Sequence, residues 1–262
     1  MTGPTYLQFH LAFLLPAMML MVATAFVSRT RIAVRPLGSG RRYWVGVAIV
    51  TVVALVYTTP WDNYLIATGV WSYGEGSTLA TLGHAPVEEY LFILIQPWLT
   101  ALWLSHLSLP AAWPTGVGSI RGRLGAVAVA AGIGVGGWHL LGTPSTFYLG
   151  AILAWAAPVL ALQWAVGAPQ LWAHRRLVAL GVLVPTTYLC VADRVAIEYG
   201  IWILSDRYTT GLAVAGLPVE EALFFLVTNC FVVQGLVLYR WVMDRYGAAE
   251  SEPRGADAGA GS

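Results

Sequence analysis

Long apolar stretches alternate along this chain with short connections rich in glycine, proline or polar residues. A helix needs about 20 mainly apolar residues to cross the hydrocarbon core of a bilayer. Seven segments reach that length, at 6–27, 43–62, 86–107, 122–141, 146–167, 176–198 and 218–241. The pattern predicts an all-α membrane protein with seven transmembrane helices. From 247 onward the chain turns small and polar, and 247–262 is expected to be a disordered tail.

Composition agrees with that pattern. Of 262 residues, 58% are hydrophobic and 10% charged, whereas a soluble domain carries about a quarter charged residues. The formal net charge is +1, and no basic run is interleaved with aromatics, so no nucleic-acid partner is expected. Every basic residue other than histidine is arginine. Without lysine there is no amine for a retinal Schiff base, which excludes a rhodopsin. The first apolar run is not preceded by basic residues but is followed by arginines, so it reads as a retained helix rather than a secretory signal. Cys190 and Cys230 lie in apolar runs without metal-type spacing and are expected to pack.

The arginines set an orientation. Arg29, Arg31, Arg35, Arg41 and Arg42 follow the first helix, Arg121 and Arg123 precede the fourth, Arg175 and Arg176 precede the sixth, and Arg240 and Arg245 end the seventh. Loops rich in arginine stay in the cytoplasm. The N-terminus is therefore expected outside and the C-terminus in the cytoplasm of a multi-pass cell-membrane protein.

The chain also repeats. Pro86-Val87-Glu88-Glu89 recurs as Pro218-Val219-Glu220-Glu221, each at the head of an apolar segment. Upstream, Gly69-Val70-Trp71 answers to Gly200-Ile201-Trp202, Asp62 to Asp193, and Tyr6-Leu7 with Pro16 to Tyr148-Leu149 with Pro158. This gives a three-helix repeat over 1–110, a linking helix in 111–144, and a second three-helix repeat over 145–246. The linking helix restores the orientation of the first unit, so the repeats are expected to be parallel, with both acid motifs at the same external depth.

Paired carboxylates in a chain so poor in charge need a physical reason. Helix initiation is one, because proline suits a first turn and acids complement the positive end of the helix dipole. One acid serves that purpose as well as two, and the pair occurs in both repeats. Adjacent helical residues point about 100° apart, so only one acid of each pair faces a given direction. Gln96 lies two turns below Glu89, and Thr228 lies two turns below Glu221 with Asn229 beside it. That polar stripe points to Glu89 and Glu221 as the inward pair, while Glu88 above Phe92 and Glu220 above Phe224 offer a carboxylate over an aromatic wall, and periodicity does not separate the two faces. Asp62 is expected at the external end of the second helix, followed by Asn63, and Asp193 at that of the sixth, followed by Arg194 as a neutralising partner. Trp71 and Trp202, with Tyr64, Tyr73, Tyr199 and Tyr208, read either as an interfacial belt or as a lining for a conjugated or cationic species.

Other motifs serve mainly to exclude chemistries. Gly132-Ile133-Gly134-Val135-Gly136-Gly137 spells a dinucleotide pattern with no strand before it, and close helix packing is its reading. His10, His84, His106, His139 and His174 are scattered and supply no zinc or di-iron ligand set. Only His84, two residues before Pro86, is near enough in sequence to join the acids.

At Trp61-Asp62-Asn63-Tyr64, Gly69-Val70-Trp71, His84-Ala85-Pro86-Val87-Glu88-Glu89 and Leu217-Pro218-Val219-Glu220-Glu221-Ala222-Leu223-Phe224-Phe225 the chain resembles the integral-membrane lycopene cyclases of the heterodimeric type, here as one fused chain. The resemblance implies ring closure at the ends of linear lycopene to give β-carotene, by protonation, carbocation cyclisation and deprotonation, with no cofactor and no metal. It implies Glu88, Glu89, Glu220 and Glu221 as catalytic acids and bases. Asp62, Asn63, Asp193, His84, Gln96, Thr228 and Asn229 would support them, and Trp71, Trp202, Phe92, Phe224 and Phe225 would line the substrate. The partners implied are the linear carotene, the lipid bilayer and other carotenoid-pathway enzymes. A small proton- or cation-coupled transporter is the alternative from another class. A carotenoid hydratase, a prenyltransferase and a membrane peptidase are further alternatives, but the magnesium and histidine positions that the last two need are missing.

Overall fold

The computed structural model describes residues 3–29, 40–107, 113 and 120–251. Arg31, Arg35, the expected boundary at 110 and 111, and the tail beyond 251 lie outside the described residues. The chain opens on α1 (Tyr6–Phe9), a π-helical turn (His10–Leu14) and α2 (Leu15–Arg29), which follow one another without a break. Next come α3 (Arg41–Thr68), α4 (Val87–Ser105), α5 (Ile120–Leu140), α6 (Phe147–Ala173), α7 (Arg175–Glu198) and α8 (Val219–Ser251). Five of these helical columns are long and apolar enough to cross a bilayer: 6–27, α3, 144–173, α7 and α8 as far as Arg245. The other two are shorter and interrupted, α4 by two glutamates, Gln96 and Pro97, and α5 by its glycines and two opening arginines.

The expected helical segments are recovered, and α3, α6 and α8 run beyond their expected ends. α3 does not stop at Asp62 but runs through Pro60 and on to Thr68. Asp62 is thus a buried residue inside a helix rather than at its end, and Asp193 is likewise buried inside α7. Both helices stop at a glycine in the left-handed region, Gly69 with φ 81° and Gly200 with φ 67°. A side chain there would cost strain, so glycine ends the helix. α8 continues through 247–251, the first residues of the expected tail.

An all-α description omits six short strands. β1 (Trp71–Tyr73) pairs antiparallel with β4 (Trp202–Leu204), and two hairpins, β2 (Thr81–Leu82) with β3 (Ala85–Pro86) and β5 (Ala213–Val214) with β6 (Leu217–Pro218), lead into α4 and α8. Strands of two or three residues leave no readable alternation, which is why the hydropathy pattern does not show them. The prolines of the acid motifs close these hairpins, and Val87 and Val219 begin the helices.

The contacts of the two halves mirror one another. Tyr6 N–H donates to Ser77 O at 2.7 Å, and Tyr148 N–H to Tyr208 O at 3.1 Å. Gly74 N–H donates to Ile201 O, and Ser205 N–H to Val70 O, so each half gives the other the bond that it receives. In the β1–β4 ladder Trp71 faces Leu204 and Tyr73 faces Trp202, about a central pair of Ser72 and Ile203. α8 packs on α3, α4, α6 and α7, while α5 packs chiefly on α6. The α5–α6 contact runs through Gly137 and Gly150, where an added Cβ would collide with backbone across the interface. Of the glycine run, Gly134 and Gly137 meet α6 and Gly132 and Gly136 face open space, as helix packing requires.

Candidate active site

The two glutamates of each motif are divided by the start of their helix. Glu88 and Glu220 are fully buried beneath their hairpins. Glu88 Oε1 accepts the backbone N–H of Leu79 at 2.8 Å. Glu220 Oε1 accepts both the backbone N–H and the hydroxyl of Thr210, each at 2.7 Å. These carboxyl groups fasten the connecting loop to the helix that follows it. Glu89 and Glu221 point elsewhere and line a cavity of about 550 Å³, mouth included, between the halves.

Asp62 from α3 and Asp193 from α7 join them, so four carboxyl groups line one cavity. None of the described residues lining it is basic. Its remaining wall is largely aromatic: Trp71 and Tyr73 of β1, Trp202 of β4, Phe92 of α4, and Phe224 and Phe225 of α8. Tyr6 and Phe9 of α1 and Tyr148 of α6 complete that surface. All five aromatic residues expected to line the substrate are therefore brought together.

Three tyrosines hold the glutamates. Tyr6 and Tyr73 both donate to Glu89 Oε2, at 3.0 and 2.8 Å, and the Trp71 indole N–H donates to the Tyr73 hydroxyl at 3.0 Å. Tyr148 hydrogen-bonds Glu221. Burial, reinforced by the negative charge of Glu89 and Asp62, pushes the Tyr73 hydroxyl well above its ordinary range, which keeps it a proton donor toward Glu89. These phenols were not among the expected site residues. Tyr6 and Tyr148 appear in the sequence only as repeat markers, and Tyr73 as an aromatic of either the interfacial belt or a site lining. For Tyr6 and Tyr148 the signal was their equivalence across the repeat.

The second half departs from the first. Leu204 stands where the first half has Tyr73, and the Trp202 indole donates not to a tyrosine but to Asp193 Oδ1 at 3.0 Å. Arg194 does not neutralise Asp193; it pairs with Glu198 at 3.2 Å on the exposed side of α7. Asp62 Oδ2 and Asp193 Oδ2 are buried with no hydrogen-bond partner among the described residues.

The remaining expected residues lie outside the cavity. Asn63 supports the first hairpin, its Oδ1 accepting the N–H groups of His84 and Ala85 at 2.8 and 3.2 Å. The His84 side chain is exposed. Gln96 and Asn229 bond one another at 2.8 Å in a buried polar knot with Thr100 and Thr186, tying α4, α7 and α8 together. Thr228 bonds back to the carbonyl of Phe224. The inward stripe thus stabilises the helix interface beneath the acids.

Comparison with known proteins places the chain in a family. The family model described as lycopene cyclase matches residues 5–107 and 145–240, on either side of the stretch containing α5. The lycopene beta-cyclase of Halobacterium salinarum is 57% identical over 204 residues, covering 77% of this chain and 84% of that protein. The bifunctional lycopene cyclase/phytoene synthase of Colletotrichum graminicola is 32% identical over 251 residues, 90% of this chain but 41% of the fungal protein. That of Gibberella fujikuroi is 33% identical over 247 residues, again 90% of this chain and 40% of the relative. No solved structure matches. A model match over both halves and a relative 57% identical over 204 aligned residues establish that this chain belongs to the lycopene cyclase family.

Proposed function

We propose that the chain is a carotene cyclase of the cell membrane that converts linear lycopene to β-carotene through the acids of its central cavity. The observation that carries this reading is the convergence of Glu89, Glu221, Asp62 and Asp193, with no basic residue among the described lining residues, on an aromatic-walled cavity. Charge balance among four enclosed carboxyl groups leaves protons available for transfer.

One proton is delivered to the terminal double bond of the carotene, leaving a tertiary cation. The next double bond attacks that cation, a carbon–carbon bond closes a six-membered ring, and the positive charge moves onto the ring. Loss of a neighbouring proton restores a double bond and gives the β-ionone end. Substrate and product are isomers, so no electron acceptor enters the balance. Glu89, whose Oε2 already serves two phenol donors as an acceptor, is assigned the proton removal. Glu221, backed by Asp193, is assigned the delivery. Faces of Trp71, Trp202, Phe92 and Phe224 stabilise the passing cation. Water exclusion by the same wall prevents its capture as an alcohol.

The mirrored bonds of the halves support two three-helix repeats in parallel about an axis along the membrane normal, with α5 as the link. Apolar length suggests seven spans, and the arginine positions favour an external N-terminus and a cytoplasmic C-terminus. A bacterium that accumulates lycopene tests the activity: expression of this chain is expected to convert red linear pigment to β-carotene or its one-ring precursor. Unchanged pigment with the protein present in the membrane refutes it.

A further inference from the structure

Below the acid cavity a second, apolar space of about 780 Å³ opens between α3, α4, α6 and α8. It shares Phe92 and Phe224 with the acid cavity, so the two spaces meet at these rings. Along α8 it runs from Phe224 to Gly235, a rise of about 16 Å at 1.5 Å per residue, or roughly half the hydrocarbon thickness of a bilayer. Its α3 edge is formed by Ile49 and Val53, which are 49% and 59% exposed on a face suited to lipid. Its inner wall is aromatic: Trp155 stacks on Tyr57 and contacts Phe224 and Phe231. Gly235 leaves it open, since a Cβ there would meet nothing closer than 3.5 Å.

The equivalent place in the other half is closed. Tyr57 donates to Trp155 O at 2.8 Å and its counterpart Tyr188 to Phe13 O at 2.7 Å, so the registers of the two halves correspond. Where the open groove has Gly235 of α8, the equivalent place has Trp103 of α4, whose indole donates to Leu180 O at 2.9 Å between α4 and α7. Where the open groove has Val50 of α3, the equivalent place has Gly181 of α7, so close to its neighbours that an added Cβ would lie 3.0 Å from Val233 and 3.1 Å from Leu104.

Resting on the cyclase reading, we propose that the open groove holds the polyene of a linear carotene that enters sideways from the bilayer between α3 and α6. Its end passes Phe92 and Phe224 to reach the acids. With one groove serving one cavity, the enzyme closes one end per binding event, and the one-ring product leaves and returns reversed for the second closure.

The test uses the full chain in lipid vesicles loaded with lycopene, comparing Val53→Trp with Val184→Trp, its counterpart in the closed half. Both positions are exposed, at 59% and 41%, so neither indole has to enter a packed core. Val53→Trp is expected to lower the initial rate of ring formation at least tenfold, and Val184→Trp to leave it at the wild-type level. Gly235→Trp, which fills the groove from inside, is expected to act as Val53→Trp does. With lycopene in excess, wild-type enzyme is expected to accumulate one-ring product beyond its own concentration before two-ring product appears. Equal rates for Val53→Trp and Val184→Trp, or two-ring product without that lag, overturn the groove. Absence of any ring formation by the wild-type chain instead overturns the cyclase reading.

Discussion

Tyr73 hydrogen-bonds Glu89 across 2.8 Å, while the position equivalent to Tyr73 in the second half is Leu204, which has no donor to give Glu221. The two glutamates therefore occupy matching places in unlike surroundings. Tyr73→Phe removes one of the two phenol donors on Glu89. A hydrogen bond to a charged group contributes about 1.5–3 kcal/mol, so ring formation is expected to slow by roughly one to two orders of magnitude. The rate in lycopene-loaded membranes measures this, with protein abundance as the control.

The phenol also predicts a stability trend with pH. Its folded-state proton is held above the ordinary range by burial and by Glu89, so its contribution to stability is fully present below the usual tyrosine value of about 10. That contribution is lost as pH rises from there through the raised folded value. Thermal unfolding of wild type is expected to fall more steeply above pH 10 than that of Tyr73→Phe.

Glu89→Gln and Glu221→Gln are each expected to abolish ring closure while the protein stays folded. Glu88→Gln and Glu220→Gln keep an oxygen for the loop N–H groups of Leu79 and Thr210 and are expected to retain activity. Glu88→Ala leaves the Leu79 N–H unpaired and is expected to cost about 1–3 kcal/mol of stability. Melting temperature and turnover, measured together, separate these outcomes.

This division was only half legible in the chain. Hydrophobic length revealed the helical columns, and the constant offset between Asp62 and Asp193, or Gly69 and Gly200, revealed that the halves correspond. The polar stripe through Gln96 favoured Glu89 as the inward acid, but periodicity alone did not separate it from Glu88. What Glu88 does depended on Leu79, a residue of a loop whose strands are too short to show a period. Tyr6 lies 83 residues from the carboxylate that it bonds, and no local pattern encodes a partner at that distance. Arg194 beside Asp193 misled for the same reason: neighbours along a helix diverge by about 100°.

Asp193→Asn keeps an acceptor for the Trp202 indole but removes the acid. A loss of turnover with an unchanged melting temperature is expected. Full activity in Asp193→Asn would make Asp193 a support for Trp202 alone.

Gly137→Val sets a branched side chain where a Cβ would lie 2.5 Å from Ala154 N. It is expected to push α5 off α6 and destabilise the protein by about 1–3 kcal/mol. Because α5 contributes no residue to the cavity, ring formation below the melting temperature is expected to persist. The comparison of a melting curve with a low-temperature rate checks both parts.

The three residue pairs of the β1–β4 ladder have a consequence for assembly. Trp71, Tyr73, Trp202 and Leu204 belong to that ladder and also line the cavity, so neither half finishes its own chamber. The five long apolar helical columns are each suited to the bilayer on their own, but the chamber is complete only after two short extended segments from opposite halves of the chain have docked. A slip of one residue in that docking would turn the indoles and the phenol to the opposite side. The small ladder thus acts as a keyed joint, and a chain inserted in the membrane with the joint unclosed would be helical, stable and inert.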